Sequence, residues 1–521
     1  MTPTRAGAAR LVPPETVDRL LGHLSASSAA THAAPSPIDG VPLAEVPLSS
    51  TADVDAAFAR ARAAQPAWAS LGAPERAERL LAFHDLVLDH QAELADLIVA
   101  ESGKVRLDAL EEVLHVSETA RYYGQRAPRF LRSERRLGAY PGLTRVDVHH
   151  HPKGVVGVIA PWNYPLTMAF CDGLAALAAG NAVVSKPDSQ TVLTSLAAVE
   201  LLRRAGVPDA VWQVVAGSGP TVGAALVDRA DAVSFTGSTA TGRMIAARAG
   251  QRLISASLEL GGKNPMIVCA DADLDAAVRG AIRGSFASAG ELCVSFERVY
   301  VARERYARFA DAFAAATVAL DLSVGLGWRS EVGTLSSQAQ LEKVSGHVED
   351  ARAHGATVRT GGRARPDLAP WSYEPTILEG VGPGMACYRD ETFGPVVALY
   401  PFDSEDEAVA LANDSEMGLN ASVFSTDHRR ARILARRIRA GSVNVNEAFA
   451  ATFGSMSAPM GGMGASGLGR RQGPEGLLRF TEAQTVATQR LLPIMHVPGQ
   501  SSERTVALVT RGLRLLRALR L

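Results

Sequence analysis

Cys293 closes the run Gly290-Glu291-Leu292-Cys293, and Glu259 sits within Leu258-Glu259-Leu260-Gly261-Gly262-Lys263. A cysteine preceded by glycine and small residues is a candidate nucleophile if something nearby takes its proton. A carboxylate in an apolar segment beside paired glycines is a candidate base, because burial lifts its pKa toward neutrality. A third run, Pro161-Trp162-Asn163-Tyr164-Pro165, follows an apolar strand. Two prolines stiffen that loop, and an Asn amide there can donate to a developing oxyanion; one such donor contributes about 3 kcal/mol to a transition state. Taken singly, each has a plainer reading. Glu259 could cap a helix, Cys293 could be a small buried hydrophobe, and the loop could be an aromatic plug with Asn163 as its turn former. Cys171, Cys269 and Cys387 lack such company and keep the plain reading.

A phosphate site is less direct to read. The dinucleotide fingerprint G-x-G-x-x-G is not present in its usual form, because Gly217, Gly219 and Gly223 are spaced one residue too long. The run Phe235-Thr236-Gly237-Ser238-Thr239-Ala240-Thr241-Gly242 is the better candidate. It follows an apolar strand and opens a helix, where free N–H groups and the helix dipole favour an anion. Gly237 lets backbone approach closely, and Ser238 can cap the helix while donating to a phosphate. An ordinary strand–turn–helix with a serine cap accounts for this run equally well.

These residues need a frame to hold them. The chain has 521 residues, 47% hydrophobic and 21% charged, which is ordered-protein composition and long enough for two to four domains. Helical spacing of apolar residues covers 52–68, 73–102 and 107–125, with Leu80, Leu81, Leu86 and Leu88, then Leu94, Leu97 and Ile98, as candidate buried faces. From Val155 onward short apolar strands alternate with helices. Strands are expected at 155–159, 182–186, 211–215 and 232–235, with helices at 193–205 and 239–249. A second alternating region has strands at 265–268, 299–301, 396–400 and 421–424. Such alternation predicts α/β domains with parallel sheets, the doubly wound arrangement that binds nucleotides.

The motifs in succession resemble the aldehyde dehydrogenase superfamily. They are the loop at 161–165, Lys186-Pro187, the turn at 235–242, Glu259 to Lys263, Cys293, Glu391-Thr392-Phe393-Gly394-Pro395, and Gly461-Gly462 with Ser466-Gly467-Leu468-Gly469-Arg470. The resemblance spans about Ser36 to Leu492. It implies a Rossmann-like cofactor domain, an α/β catalytic domain and a small β oligomerisation element. It also implies that Cys293 attacks an aldehyde, that Asn163 and the Cys293 N–H hold the oxyanion, and that hydride passes to a nicotinamide. Glu259 then activates water against the thioester. Lys186 and Glu391 would meet the cofactor riboses and Ser238 its pyrophosphate, with Trp162, Ser189, Gly237, Gly242, Leu260 and Phe393 completing that site. The nearest subgroup by resemblance is the bacterial second type of NADP-dependent succinate-semialdehyde dehydrogenase.

Several departures bear on chemistry. Ser189 stands where many NAD-preferring relatives carry a ribose-binding Glu, which favours NADP over NAD, although Asp188 beside it could offset this. Glu291 replaces the usual Gln before the nucleophile and is expected to raise the Cys293 pKa unless it points away or pairs with a cation such as Arg298. Gly464 and Arg471 read as surface variations. Cys171 and Ala287 stand where the first type of succinate-semialdehyde enzyme holds its substrate carboxylate with two arginines. Arg283 is the substitute available, while Phe449 and Phe453 suit a less polar aliphatic or aryl aldehyde. A coenzyme A-acylating relative is the alternative, opposed by Glu259, and a catalytically silent homologue is another, opposed by the intact Cys293, Glu259 and Asn163.

The expected organisation is a loose N-terminal segment (1–37), a cofactor domain (38–139 and 154–258) and a catalytic domain (259–441). An oligomerisation element (140–153 and 484–500) makes a homodimer or homotetramer, and a basic tail (501–521) follows. With 53 Lys plus Arg against 54 Asp plus Glu, nucleic acid is not an expected partner. Four scattered cysteines predict neither disulfides nor zinc, and point to a cytoplasmic enzyme. No metal is expected: the triplet His149-His150-His151 falls on a strand, where neighbours point to opposite faces. The start lacks a signal-peptide pattern, and prolines interrupt the apolar stretch 154–171, so no membrane span is predicted. In the tail, Arg504, Arg511, Arg514, Arg517 and Arg520 oppose Leu515, Leu516 and Leu519. That pattern suits contact with an anionic membrane surface or with a neighbouring subunit.

Overall fold

The computed structural model describes residues 12–139, 143–490 and 499–518. Parallel strands covered on both faces read as continuous apolar runs, and Val155–Ile159 and Ala182–Lys186 are such runs, buried at every position. They belong to a six-stranded sheet ordered Gly467–Leu468, Ser255–Glu259, Ala232–Thr236, Val155–Ile159, Ala182–Lys186, Trp212–Val214. All its neighbours are parallel except Gly467–Leu468, which pairs antiparallel with the strand ending in Glu259. The chain runs outward from Val155–Ile159 on one side and then returns to its other side at Ala232–Thr236. The order therefore reverses between those two strands, and a crevice opens outside their carboxyl ends.

A second sheet has seven strands in the order Thr357–Thr360, Thr376–Glu379, Val396–Phe402, Phe296–Ala302, Asn264–Val268, Asn420–Phe424, Ser442–Val445. Only Thr357–Thr360 is antiparallel to its neighbour. The α/β architecture is thus as the alternation predicts, and the second sheet runs past 441 to include Ser442–Val445. The expected division between 258 and 259 falls inside the strand Ser255–Glu259. A third, antiparallel sheet of Thr481–Gln489, Thr144–Pro152 and Glu134–Arg136 stands apart and begins earlier on both segments than the expected oligomerisation element. Residues 140–142 and 491–498 of that element lie outside the described residues.

Other expectations are corrected in detail. The segment before residue 38 is not loose where it is described: it forms the helix Pro14–Leu21, which buries Val17 and Leu20, and the strand Thr31–Pro35. Residues 1–11 lie outside the described residues. The helical stretch 73–102 is two helices, Gly72–Asp89 and Gln91–Ser102, broken at His90. In the first of these Phe83 and Val87 join Leu80 in the core, while Leu81, Leu86 and Leu88 are only half-buried. The stretch after Val155–Ile159 is not all loop, because Pro165 sits in the first turn of a wholly buried helix, Pro165–Ala178. Proline is tolerated there since its missing N–H would have no partner in any case. The three histidines lie within Thr144–Pro152, with the rings of His149 and His151 6.5 Å apart and His150 near Thr481. In the tail helix Ser502–Ala518, Leu516 is half-buried but Leu515 is exposed, so the two do not share a covered face. Leu519 and Arg520 lie outside the described residues. Among the described residues no helix is long and apolar enough to cross a membrane.

Candidate active site

A four-residue segment, 260–263, joins the carboxyl end of Ser255–Glu259 to the amino end of Asn264–Val268. Phe296 opens the next strand and pairs with Asn264, which brings Cys293, three residues earlier, beside that segment. Gly262 lies so close to the Cys293 carbonyl that a Cβ would collide with it. The Asn264 amide donates to the carbonyls of Cys293 (2.8 Å) and Ser295 (2.7 Å). One cleft of about 200 Å³ is lined by Trp162, Asn163, Gly237, Ser238, Glu259, Leu260, Cys293, Glu391 and Phe393. Nine sequence-predicted residues from five separate segments thus converge. Lys186, Ser189 and Gly242 lie outside that lining.

Glu259 ends its strand buried, and its Oε1 has no hydrogen-bond partner. Burial pushes its carboxyl up to about 7, with Arg471 pulling the other way. Cys293 is the least buried of the four free thiols. Burial of its sulfur, with Glu259 and Glu391 nearby, pushes the thiol up to about 12. A thiol held that high needs a base to take its proton as attack proceeds, and a carboxylate near 7 titrates close to the pH at which a general base works.

Arg471 is not a surface variation. It is 5% exposed and pairs with Asp172 at 2.6 Å, while Arg479 takes the other carboxylate oxygen at 2.5 Å. Burial alone would lift the Asp172 carboxyl, but the two guanidinium groups hold it well below its ordinary value. Burial also opposes the Arg471 charge, yet Asp172 and Glu259 keep it above the ordinary arginine range. Sequence reading missed this pair because nothing local marks an arginine as buried; the proximity of Arg470 and Arg471 to the glycines at 461–469 was the available signal.

Asn163 is held from both ends. Its side-chain amide donates to the Glu291 carbonyl at 2.9 Å, and its own carbonyl accepts from Lys104 Nζ at 2.7 Å. Lys104 is buried, pairs with Glu112 at 2.6 Å, and sits 3.6 Å from the centre of the Tyr164 ring. The other Glu112 oxygen accepts the N–H groups of Leu166 and Thr167 at the start of the following helix. Neither Lys104 nor Glu112 is marked in the sequence as part of the site. The loop before Cys293 carries three successive left-handed residues, Ser288 (φ 50°), Ala289 (φ 53°) and Gly290 (φ 72°). Ser288 and Ala289 cost about 1–2 kcal/mol each in that conformation. Asp108, accepting the Ser288 N–H at 2.6 Å, and Tyr164, whose hydroxyl meets Ser288 Oγ at 2.9 Å, hold the loop there. At Gly290 a Cβ would overlap the Gly394 carbonyl, so no other residue fits.

Of the alternatives open for Glu291, the structure takes the one in which it points away from the nucleophile. Its carboxylate turns away and accepts from the N–H and hydroxyl of Ser336, both at 3.0 Å. Arg298 does not pair with it; that guanidinium donates to the carbonyls of Lys263, Leu411 and Ala412. Burial instead pushes Glu291 up to about 8.

On the cofactor side, Ser238 caps the helix Thr239–Gln251 by accepting the Thr241 N–H, leaving the first-turn N–H groups facing the crevice. That suits a phosphate. Trp162 and Phe393 meet edge to face at 5.7 Å. Glu391 accepts the Gly262 N–H at 2.7 Å and is raised to about 7, chiefly by burial. Leu260 packs over Gly242, where a Cβ would collide with it. Lys186, buried at a strand end, has its pKa lowered chiefly by desolvation, with Asp188 opposing. Asp188 spends one oxygen on the Gln190 N–H at 3.0 Å, beside Ser189. Ser238 and the helix cap would hold a nucleotide's phosphates, and Trp162, Leu260, Glu391 and Phe393 line the same cleft as Cys293, where its reactive end would lie. Among the described residues no three His, Cys, Asp or Glu are placed to hold a metal.

A second cavity of about 280 Å³ shares Tyr164 and Leu292 with the first. Its walls include Leu114, His115, Phe449, Phe453 and Met456, with Glu111, Glu118 and Arg283 as its charged groups. His115 stacks on Phe453 at 4.0 Å, and burial lowers its pKa to about 3, so it is neutral.

Comparison with known proteins agrees with this geometry. The model of the family described as "Aldehyde dehydrogenase family" matches residues 24–486. A Mycobacterium tuberculosis (strain H37Rv) protein named "Putative succinate-semialdehyde dehydrogenase, NADP(+), 2" is 48% identical over 480 residues, 92% of this chain and 93% of its own length. The "4,4'-diapolycopene aldehyde oxidase" of Methylomonas sp is 40% identical over 467 residues, 88% of this chain and 86% of its own. A solved NAD+ complex of a Bacillus cereus aldehyde dehydrogenase superposes with TM-score 0.86 at 34% identity, covering 92% of this chain and 99% of that one.

Proposed function

The chain belongs to the aldehyde dehydrogenase family, and from that premise we propose that it oxidises an aldehyde to its carboxylic acid through a thioester on Cys293. The convergence of Cys293, Glu259 and Asn163 on one cleft beside the helix cap at Ser238 is the observation that carries this reading. Cys293 Sγ bonds to the aldehyde carbon while Glu259 takes the thiol proton. The carbonyl oxygen becomes an oxyanion held by the Asn163 amide and the Cys293 N–H. When bound, NAD(P)+ supplies the hydride acceptor. Loss of hydride restores the C=O as a thioester on Cys293. Glu259, once its proton has passed to solvent, removes a proton from water as the water oxygen attacks that carbon; the C–S bond breaks, the Cys293 thiolate takes back that proton, and the acid leaves. An interaction made only in the transition state accelerates the step, which is why a fixed Asn163 matters.

Ser189 supports NADP as the favoured cofactor, since no carboxylate at that position repels a 2′-phosphate; the NADP(+) in the mycobacterial relative's name agrees. The apolar walls at Leu114, Phe449, Phe453 and Met456 support a less polar aliphatic or aryl aldehyde over succinate semialdehyde. Cys171 and Ala287 offer no cation, and burying an unpaired carboxylate is costly. The test is a panel of aldehydes, including succinate semialdehyde, butanal and benzaldehyde, assayed with both cofactors and with coenzyme A. Free acid from the neutral aldehydes supports the reading; no aldehyde-dependent cofactor reduction overturns it.

The nine-residue ladder of Thr144–Pro152 with the largely exposed edge strand Thr481–Gln489 supports assembly into a homodimer or homotetramer. Four free cysteines fit a reducing, cytoplasmic compartment. Exposed Val506, Leu508, Leu513 and Leu515, carried with Arg504, Arg511, Arg514 and Arg517, support peripheral contact with an anionic membrane. Liposome binding lost on deleting residues 501–521 tests that contact.

A further inference from the structure

The second cavity, which shares Tyr164 and Leu292 with the cleft that holds Cys293, has one cation on its wall, Arg283, which sequence reading offers as a substitute partner for a substrate carboxylate. Its guanidinium is already engaged. Arg283 Nη2 lies 2.6 Å from Glu111 Oε1, and its carbon sits 5.1 Å from the centre of the Phe449 ring. Glu118 lines the same cavity, and Asp108 and Glu447 also act on Arg283 electrostatically. His115, the remaining titratable group on the wall, is neutral. On the wall Arg283 is paired with Glu111, and Glu118 with Arg121 just outside it, so among the described residues no unpaired cation lines the cavity. Arg283 and Glu111 are each about one-third exposed, so their pair contributes little to stability. Its consequence falls on the ligand, because a carboxylate arriving at Arg283 must displace Glu111 or lie against it.

We propose that Glu111 is a specificity-determining residue: by occupying Arg283 it excludes aldehydes bearing a distal carboxylate and leaves the cavity to uncharged ones. This rests on the aldehyde-oxidising reading above. Discrimination built from a repulsive element is removed by deleting that element. Glu111→Gln frees Arg283 while keeping the side chain's shape, and an aldehyde carboxylate gains a charge-assisted, bidentate partner.

The experiment compares kcat/KM for succinate semialdehyde with that for butanal, which has the same carbon number and no charge. It uses the full-length wild type, Glu111→Gln, and Glu111→Gln with Arg283→Met. Glu111→Gln is expected to raise the ratio of succinate semialdehyde to butanal about tenfold, as for removing one like charge beside a partly desolvated cation. Adding Arg283→Met returns the ratio to the wild-type value or below. Inhibition of butanal oxidation by succinate follows the same order and needs no turnover of the charged aldehyde. An unchanged ratio in Glu111→Gln, or a gain that survives loss of Arg283, overturns the proposal while leaving the aldehyde-oxidising reading intact. A wild type that prefers succinate semialdehyde also overturns it. Absence of oxidation of either aldehyde by any of the three proteins overturns the reading beneath it.

Discussion

Lys104 Nζ donates to the main-chain carbonyl of Asn163 at 2.7 Å, so a buried ammonium fixes the residue whose amide is proposed to hold the oxyanion. The same ammonium is neutralised by Glu112, which also accepts two N–H groups of the helix that follows the loop. Replacing Lys104 by Met leaves the Glu112 carboxylate buried without its cation, at a cost of about 3–5 kcal/mol. Thermal unfolding should register that loss, and kcat should fall about tenfold or more as the donor loses its position. Adding Glu112→Gln should recover part of the thermal midpoint without recovering kcat. Full recovery of kcat in the double variant would show that Lys104 only stabilises the fold.

The pH dependence of thioester hydrolysis should follow Glu259. Its carboxyl is pushed up to about 7 by burial, and only the ionised form takes a proton from water. Single-turnover hydrolysis should therefore rise about tenfold per pH unit below neutrality and level off above it. A rate flat from pH 5.5 to 8.5 would remove Glu259 from that step.

Alkylation should single out Cys293. Cys171 and Cys269 are buried and raised to about 12, and Cys387 is buried and raised as well, each chiefly by desolvation. Cys293 is raised comparably but opens onto the cleft. Peptide mapping after brief iodoacetamide treatment should find label at Cys293 first, with activity lost in proportion. Prior labelling of another cysteine with parallel inactivation would contradict the assignment.

Arg471→Met should be costly, because Asp172 would keep only Arg479. Removing one partner of a buried pair costs about 3–5 kcal/mol, which a thermal melt should detect. Arg471 also favours the ionised form of Glu259, so its loss should move the pH midpoint of hydrolysis upward. A surface residue would move neither.

What was legible in the sequence follows the reach of the physics involved. Val155–Ile159 and Ala182–Lys186 are read residue for residue, because strands buried on both faces need unbroken apolar runs. The strand Ser255–Glu259 escapes that signal, since its first half is small and partly exposed. Cys293, Glu259 and Asn163 were found because their local runs resemble a known family, and the fold brings them to one cleft. Arg471, Lys104 and Glu112 were not, since a buried charge is recognised by its partner, and the partners lie 299, 59 and 8 residues away. Glu291 shows the converse: adjacent to the nucleophile in sequence, it turns to Ser336, 45 residues on.

The most direct test of the covalent route is a stopped-flow burst with Glu259→Gln, saturating NADP+ and an aldehyde accepted by the wild type, followed by intact-protein mass measurement. The expected result is a burst of one equivalent of reduced cofactor per Cys293, slower than in the wild type because the amide that replaces the Glu259 carboxylate cannot take the thiol proton, then near-arrest, with the acyl group mapped to Cys293. Turnover at the wild-type rate, or an acyl group on any other residue, would contradict the roles assigned to Glu259 and Cys293.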